Sequence, residues 1–511
     1  MKKSNLIAWA GCALVALAGC AEKETTEVAE TTSHYYLTVE NSGLSHAPAL
    51  QSFIHGVSGD QWLLFGGRTN AQNDDGGLHD FGNYSSEGFP IVSFNTQLYV
   101  YNPTTDAAIA VSFTEVDAAV KAMFGIDLPL TTFINSNPQV TQEGDYLYYF
   151  GGYGPTAATY EFATGEDVGT GATYEYITYS QMVRVHVPGM ISLVQALATG
   201  QTPEAGSYPD LIYFGDANTL EMTTTGGEVF LIGDTFYMSG GHDFQETVVM
   251  GTKNPATSYQ RYQNAVYPFT LSYDQTNYSI TATLQPAISD YPNLIADSSR
   301  VDSLSKFRRR DGPMVPSLFA ESAGGAISEG LSLYAGVFQF HFAAWNTAIY
   351  IHPSWAGTGQ GYTYDGSYNQ NNQNVYACAD IVGYDNSDST QYTFLPGGIG
   401  DGGFGFTNNG LTISRKVHEM SSQVDSSYNL FGTDTTAIYG AEAEVIFNST
   451  AQFVQGTEVL DLSATMQNAG EQGQLIGWIY GGIQATGHNP GGHGPGLSQA
   501  SNIIWKVYLN Q

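Results

Sequence analysis

Gly233-Asp234-Thr235-Phe236-Tyr237-Met238-Ser239-Gly240-Gly241 is the stretch on which the reading of the fold turns. Gly-Asp is turn chemistry, the residues after it are β-prone, and a Gly pair ends the run. That is the pattern of a tight hairpin leading into a buried strand. The closing glycines allow positive φ, or a backbone approach that a Cβ would block. The phrase recurs as Gly59-Asp60-Gln-Trp-Leu-Leu-Phe-Gly66-Gly67 and as Gly144-Asp145-Tyr-Leu-Tyr-Tyr-Phe-Gly151-Gly152. Weaker copies end at Ala335-Gly336, Gly397-Gly398 and Gly481-Gly482.

The closing positions 66, 151, 240, 335, 397 and 481 stand 85, 89, 95, 62 and 84 residues apart. A unit of several short strands that returns at a roughly fixed period marks a repeat architecture. After most Gly pairs comes a polar loop and then a further strand, as in Asn95-TQLYVYNP, Ser180-QMVRVHVP and Asn264-AVYPFTL. Before each turn lies another, such as GGEVFLI or MVPSLFAES. Three legible strands and a variable outer one give four-stranded blades, and radial packing of blades protects the edges of each sheet.

A hydrophobic strand closed by Gly-Gly, a loop, and a strand carrying an aromatic resembles the Kelch repeat, which builds β-propellers including that of galactose oxidase. The phrases GDYLYYFGGYG (144–154), GGEVFLIGDTFYMSGGHDF (226–244), QNAVYPF (263–269), FRRRDGPMVP (307–316) and YACADIVGYD (376–385) are similar to a group of Kelch-like proteins of Bacteroidota-type bacteria. The resemblance spans nearly everything after about residue 34 and bears on fold, not on function. The units here are long, a typical Kelch repeat being roughly half their length, and the fourth Gly pair is degenerate. The expected fold is all-β: a single six-bladed Kelch-like β-propeller over 34–511. The isolated run Tyr35–Val39 is the candidate to close the ring beside the last strand, Ile503–Tyr508. Two helices are expected, over Thr114–Phe124 and Met190–Leu197, both on connections after outer strands.

Residues 1–20 read as a signal peptide: Lys2 and Lys3, an apolar run from Leu6 to Leu17, then Leu17-Ala18-Gly19-Cys20. Cys20 after Leu-Ala-Gly resembles a bacterial lipoprotein processing site, which implies lipidation of Cys20 and a protein anchored to the outer membrane without spanning it. Residues 21–33 lack large aromatics and alternate charge with Thr, the composition of a disordered acidic tether.

With 16 basic against 48 acidic residues the net charge is −32, which leaves no basic stripe for a nucleic-acid partner. The acidic surface is a solvated coat. Alternatively, Asp74-Asp75 with Asp80, and Asp385-Asn386-Ser387-Asp388, offer oxygen ligands for structural calcium. No other cofactor is expected, and the chain is expected to be monomeric. Once Cys12 leaves and Cys20 carries lipid, only Cys378 remains, a small buried hydrophobe unable to form an internal disulfide. A Tyr–Cys copper site of the galactose oxidase kind would need Cys378 bound to a tyrosine and two further histidines. Tyr376 lies on the same side, but that constellation is not present in the sequence.

The long insertions follow the Gly pairs (68–92, 153–178, 242–262 and 484–500) and would gather on one face, where loops on a rigid scaffold concentrate binding residues. Candidate ligand-binding residues there are Arg309, Arg310 and Asp311, His242 and Asp243, Tyr153, Arg68 and Trp345. An Arg fork would hold the carboxylate or sulfate of an acidic sugar; the alternative is an Arg–Asp lock between blades. His242 beside Asp243 would serve as an acid–base group; the alternative is a turn cap. His488 and His493 form either a metal pair or part of a lid. Further aromatics near these loops are Phe81, Tyr84, Phe340, Phe342 and Phe404. Two functions fit: a binding module for carbohydrate or a protein partner, and a carbohydrate-active enzyme of mutarotase or lyase type using Arg310, Asp311 and His242.

Overall fold

The computed structural model describes residues 35–70, 78, 91–163, 172–204, 206–249, 257–290, 305–337, 344–352, 361–370, 373–400, 408–432, 440–486 and 498–511. Cys20, the signal region and the tether lie outside the described residues. So do His488, His493, Asp74, Asp75, Asp80, Phe81, Tyr84, Phe340, Phe342 and Phe404. Among the described residues no helix is long and apolar enough to cross a membrane.

The chain is all-β, built from antiparallel four-strand units. The first comprises Ile54–Ser58, Gln61–Phe65, Gln97–Asn102 and Ala107–Ser112. The second comprises Gln139–Glu143, Tyr146–Phe150, Gln181–His186 and Ile212–Asp216. The third is Thr225–Ile232, Thr235–Val249, Val266–Asp274 and Ser279–Leu284, joined to the second by one parallel bridge, Phe214 to Ser279. The fourth is Met314–Ala320, Ile327–Leu333, Ala348–Ile351 and Tyr362–Asp365, and the fifth Ile381–Asp385, Thr390–Pro396, Gly410–Lys416 and Gln423–Ser427. The sixth takes Glu444–Phe447, Gln474–Tyr480 and Ile504–Asn510 from the end of the chain and Tyr36–Asn41 from its start. Tyr36–Asn41 pairs antiparallel with the last strand, Tyr36 opposite Asn510, as the sequence predicts.

The repeated phrase does two jobs. Gly59, Gly144 and Gly233 have φ of 58°, 56° and 59° and open two-residue turns whose second residue keeps negative φ, the type II′ pattern that suits strand twist. The closing pairs all take positive φ: 62° and 72° at Gly66-Gly67, 74° and 78° at Gly240-Gly241, and 49° and 87° even at Ala335-Gly336. The degenerate pair thus keeps the backbone shape and loses only the residue type. A Cβ on Gly67 would stand 2.5 Å from the Gln51 carbonyl, and one on Gly241 2.5 Å from that of Thr225. The second glycine is therefore required by contact as well as by φ.

Apolar residues of successive units meet in separate cores. Leu63, Phe65, Leu147 and Tyr149 join the first and second units. Phe150, Phe236 and Phe269 join the second and third, their rings 5.1–5.5 Å apart. The series continues through Val266 with Leu331, Leu318 with Leu395, and Phe394 with Ile479. It returns in Trp62 and Tyr101 against Tyr480 and Ile504, which packs the sixth unit on the first.

Two twelve-residue helices thicken the first of these cores. Phe113–Phe124 begins with a capping box, the Ser112 hydroxyl and Glu115 carboxylate each serving the other's backbone N–H, and ends on left-handed Gly125. Its buried face is Val116, Ala119, Val120 and Met123, as its periodicity predicts. Val187–Ala198 departs from expectation. It lies between the third and fourth strands of the second unit, not after an outer strand, and buries Met190, Leu193 and Val194 beside the first helix. Both helices contribute buried side chains to this core.

Candidate functional site

Just ahead of, or at the start of, the first strand of each unit stands one residue in the left-handed region. These are Ser52 (51°), Asn137 (55°), Gly226 (69°), Asp311 (51°), Ala377 (39°) and Glu442 (62°). Non-glycine residues rarely adopt this conformation, at a cost of about 1–3 kcal/mol each. Its repetition has a cause. The N–H of Asn137 donates to the Ser52 carbonyl at 3.0 Å, Gly226 to Asn137 at 3.1 Å, Asp311 to Gly226 at 2.8 Å, Ala377 to Asp311 at 2.7 Å, and Glu442 to Ala377 at 2.5 Å. At the sixth junction the Ser52 hydroxyl and the Gln51 amide donate to the Glu442 carboxylate. One residue from every unit thus belongs to a hydrogen-bonded belt.

Predicted site residues attach to this belt. Asp311 is 4% exposed, pairs with Arg310 Nε at 2.6 Å and accepts from Asn137 Nδ2 at 3.3 Å. The ion pair itself joins adjacent residues of the fourth unit, and the Asn137 amide on Asp311 is the contact that reaches it from the second unit. Arg68, 1% exposed, donates from Nε to Gln51 Oε1 at 2.7 Å and so supports the amide that holds Glu442. Burial, then the Asp311 charge, raises the Glu442 pKa.

Arg309 and Trp345 are placed differently. The Arg309 guanidinium donates to the carbonyls of Lys306 at 2.8 Å, Ala335 at 2.7 Å and Thr347 at 2.5 Å, over the Trp345 ring at 5.3 Å. Trp345 Nε1 donates to the Arg308 carbonyl at 2.9 Å. This is a clamp buried in the fourth unit, with its donors turned to main chain and not to the face.

His242 and Asp243 lie in a strand, not in a loop. The run Thr235–Val249 continues unbroken past the Gly pair and pairs there with Thr173–Thr178 and Thr257–Tyr262. Successive strand residues point to opposite faces, so no His–Asp dyad forms and no turn is capped. Gln260 Nε2 donates to His242 Nδ1 at 2.7 Å, which fixes the ring proton on Nε2. Burial, with Arg310 and Arg308 nearby, holds His242 well below its usual pKa, so it stays neutral. Phe244 stacks on it at 5.6 Å, Tyr262 lies at 5.5 Å, and the Arg308 guanidinium covers Tyr262 at 3.8 Å. Asp243 accepts from Gln245 at 3.3 Å on the other side. Tyr153, 4% exposed, leans on Phe244 at 5.6 Å and donates to Glu246 at 2.8 Å. His242, Tyr262, Phe244 and Tyr153 are thus one aromatic and polar group near the Arg310–Asp311 pair.

Ser52, Asn137, Ala377 and Glu442 of the belt also line a chamber of about 400 Å³, walled by residues from the first strand of all six units. Its carboxylates are Glu228, Asp380, Glu444 and Glu458 together with Glu442 of the belt, and His55, the Cys378 thiol and apolar side chains share the lining. Burial, then Glu444, pushes Asp380 up to about 7, and burial, then Glu442, does the same to Glu444. Glu458 also rises to about 7 through burial and the charges of Glu143, Glu329 and Asp380. Burial lowers His55 to about 4. The Glu444 side chain is 41% exposed, so solvent screens it in part, and the burial of the remainder beside Glu442 sets the upward direction. Cys378 is 6% exposed, as a small hydrophobe should be. The Tyr376 hydroxyl bonds to Asp311.

The repeat pattern does not announce the chamber. Its signal is present in Gly227-Glu228-Val229, Ala379-Asp380-Ile381 and Ala443-Glu444-Val445, where an acid interrupts the apolar lead-in to a first strand. The Asp385–Asp388 loop is engaged internally: Asp385 Oδ1 accepts from the Ser387 N–H at 2.8 Å, and Asp388 pairs with Lys416 at 2.8 Å. Comparison with family models and with curated proteins gives no match for this chain.

Proposed function

We propose that the six units are the blades of a Kelch-like β-propeller and that the protein is a lipid-anchored binding module of the outer membrane, taking a carbohydrate or a protein ligand. The blade reading is supported by the belt, by the cyclic series of cores, and by the shared sixth sheet. The observation that carries the binding reading is the group His242, Gln260, Tyr262, Phe244 and Tyr153 beside the belt. Aromatic faces next to fixed amide and hydroxyl groups are how a sugar ring is stacked and oriented. The enzyme alternative has less support, since Arg310 and Asp311 neutralise each other and His242 has no carboxylate partner in its strand.

The test is a polysaccharide and oligosaccharide panel probed with the purified protein and with His242→Ala and Gln260→Ala variants. Binding that each variant weakens at least tenfold is the expected result. No binding to any glycan would sink the carbohydrate reading and direct the search to an outer-membrane protein partner.

A further inference from the structure

None of His242, Phe244, Gln260, Tyr262 and Tyr153 lines the chamber, whose lining has a chemistry of its own. Carboxylates enter it at or beside three different first strands, as Glu228, Asp380 and the neighbours Glu442 and Glu444, and a fifth, Glu458, from the insertion that follows the sixth unit's first strand. The same lining carries the apolar side chains of Phe230, Val382 and Phe447. His55 offers no compensating charge: it is neutral, and its enclosed Nδ1 has no hydrogen-bond partner and lies 4.0 Å from Glu444. Negative charges gathered in one protein-lined cavity attract a cation more strongly than the same charges on an open surface, because protein on several sides screens them less than water does.

The kind of cation follows from spacing. Among the described residues no three His, Cys, Asp or Glu side chains converge closely enough to hold one metal ion. Carboxylates that share a cavity without converging, on a lining that also offers apolar surface, match a ligand whose own charges are spread along a hydrocarbon chain. We propose that the chamber binds a linear aliphatic diamine or polyamine, with ammonium groups on Asp380, Glu444 and Glu228 and methylenes against Phe230 and Phe447. Aromatic walls add a modest cation–π attraction.

The acidic exterior also attracts polyamines, so the experiment must separate the two. Spermidine and 1,4-diaminobutane are titrated calorimetrically into the full protein at pH 7 in two buffers of different ionisation enthalpy, with calcium chloride as the compact divalent control. Expected are one saturable site for the amine, weaker binding of calcium, and net release of protons from chamber carboxylates that are partly protonated near pH 7. The double variant Asp380→Asn, Glu444→Gln should bind spermidine at least tenfold more weakly, while Glu471→Gln on the exposed surface should bind as the parent does. Equal binding of calcium, amine uptake without proton release, or an unaffected double variant would each overturn the proposal. The proton readout uses the unaltered protein, so the test holds even if the double variant fails to fold.

Discussion

The Ser52 hydroxyl donates to the Glu442 carboxylate, joining two residues 390 positions apart. At the other five junctions of the belt the main chain makes the link; here side chains of the first unit reach those of the last. Closure therefore rests on a buried charged acceptor, whose hydrogen bonds contribute more than neutral ones. Ser52→Ala should lower the unfolding free energy by about 1–3 kcal/mol, measured by urea denaturation. A Ser52→Ala variant as stable as the parent would mean that the strand pairing alone closes the chain.

Two glycines of the repeat should separate cleanly. Gly144 has φ of 56° with open space where a Cβ would go, whereas Gly67 has φ of 72° with the Gln51 carbonyl 2.5 Å from that point. Gly144→Ala should cost about 1 kcal/mol, the penalty of left-handed backbone alone. Gly67→Ala should cost about 1–3 kcal/mol more, because the lead-in to the first unit must shift. Equal losses in thermal unfolding would refute the contact argument.

The chamber carboxylates set a pH dependence. Asp380, Glu444 and Glu458 are each raised to about 7 from ordinary values near 4. The folded protein then holds more protons than the unfolded chain between those limits, so stability falls as pH rises. The contribution is full below about pH 4 and lost on passing through about pH 7. Melting temperature should fall from about pH 5 to about pH 7.5 and level off above, and Glu444→Gln should flatten the profile. A melting temperature that rises over this range would contradict the burial of these groups.

Arg309 should prove structural. Replacement by Met leaves the carbonyls of Lys306, Ala335 and Thr347 without their shared donor. The loss should be about 2–4 kcal/mol, read by denaturant unfolding. Whatever the folded variant binds on the His242 face should bind with unchanged affinity, and a selective loss of binding would return Arg309 to the ligand site.

What is legible in the sequence is what side-chain type encodes. Gly59-Asp60 and its copies announce hairpins, the Gly pairs announce crowded positive-φ corners, and the apolar spacing over Thr114–Phe124 gives a helix and its buried face. The belt is hidden because its members share a backbone conformation and no chemistry: Ser, Asn, Gly, Asp, Ala and Glu answer to one geometric demand. His242 misleads because a Gly pair elsewhere ends a strand, while here Thr173–Thr178 and Thr257–Tyr262 supply partners that carry it onward. The acids of the chamber escape notice because Glu228, Asp380, Glu458 and the neighbours Glu442 and Glu444 lie in separate stretches of chain, and only packing brings them together.

The sixth sheet gives the molecule a schedule. Gln474–Tyr480 and Tyr36–Asn41 flank Ile504–Asn510 and do not touch each other. While the polypeptide emerges from N to C, its earliest strand waits with a bare edge through the synthesis of everything between. The final strand then bonds to both neighbours at once. Deletion of that segment should leave two exposed templates for strand addition, and such a truncated chain would find its missing partner in another copy of itself.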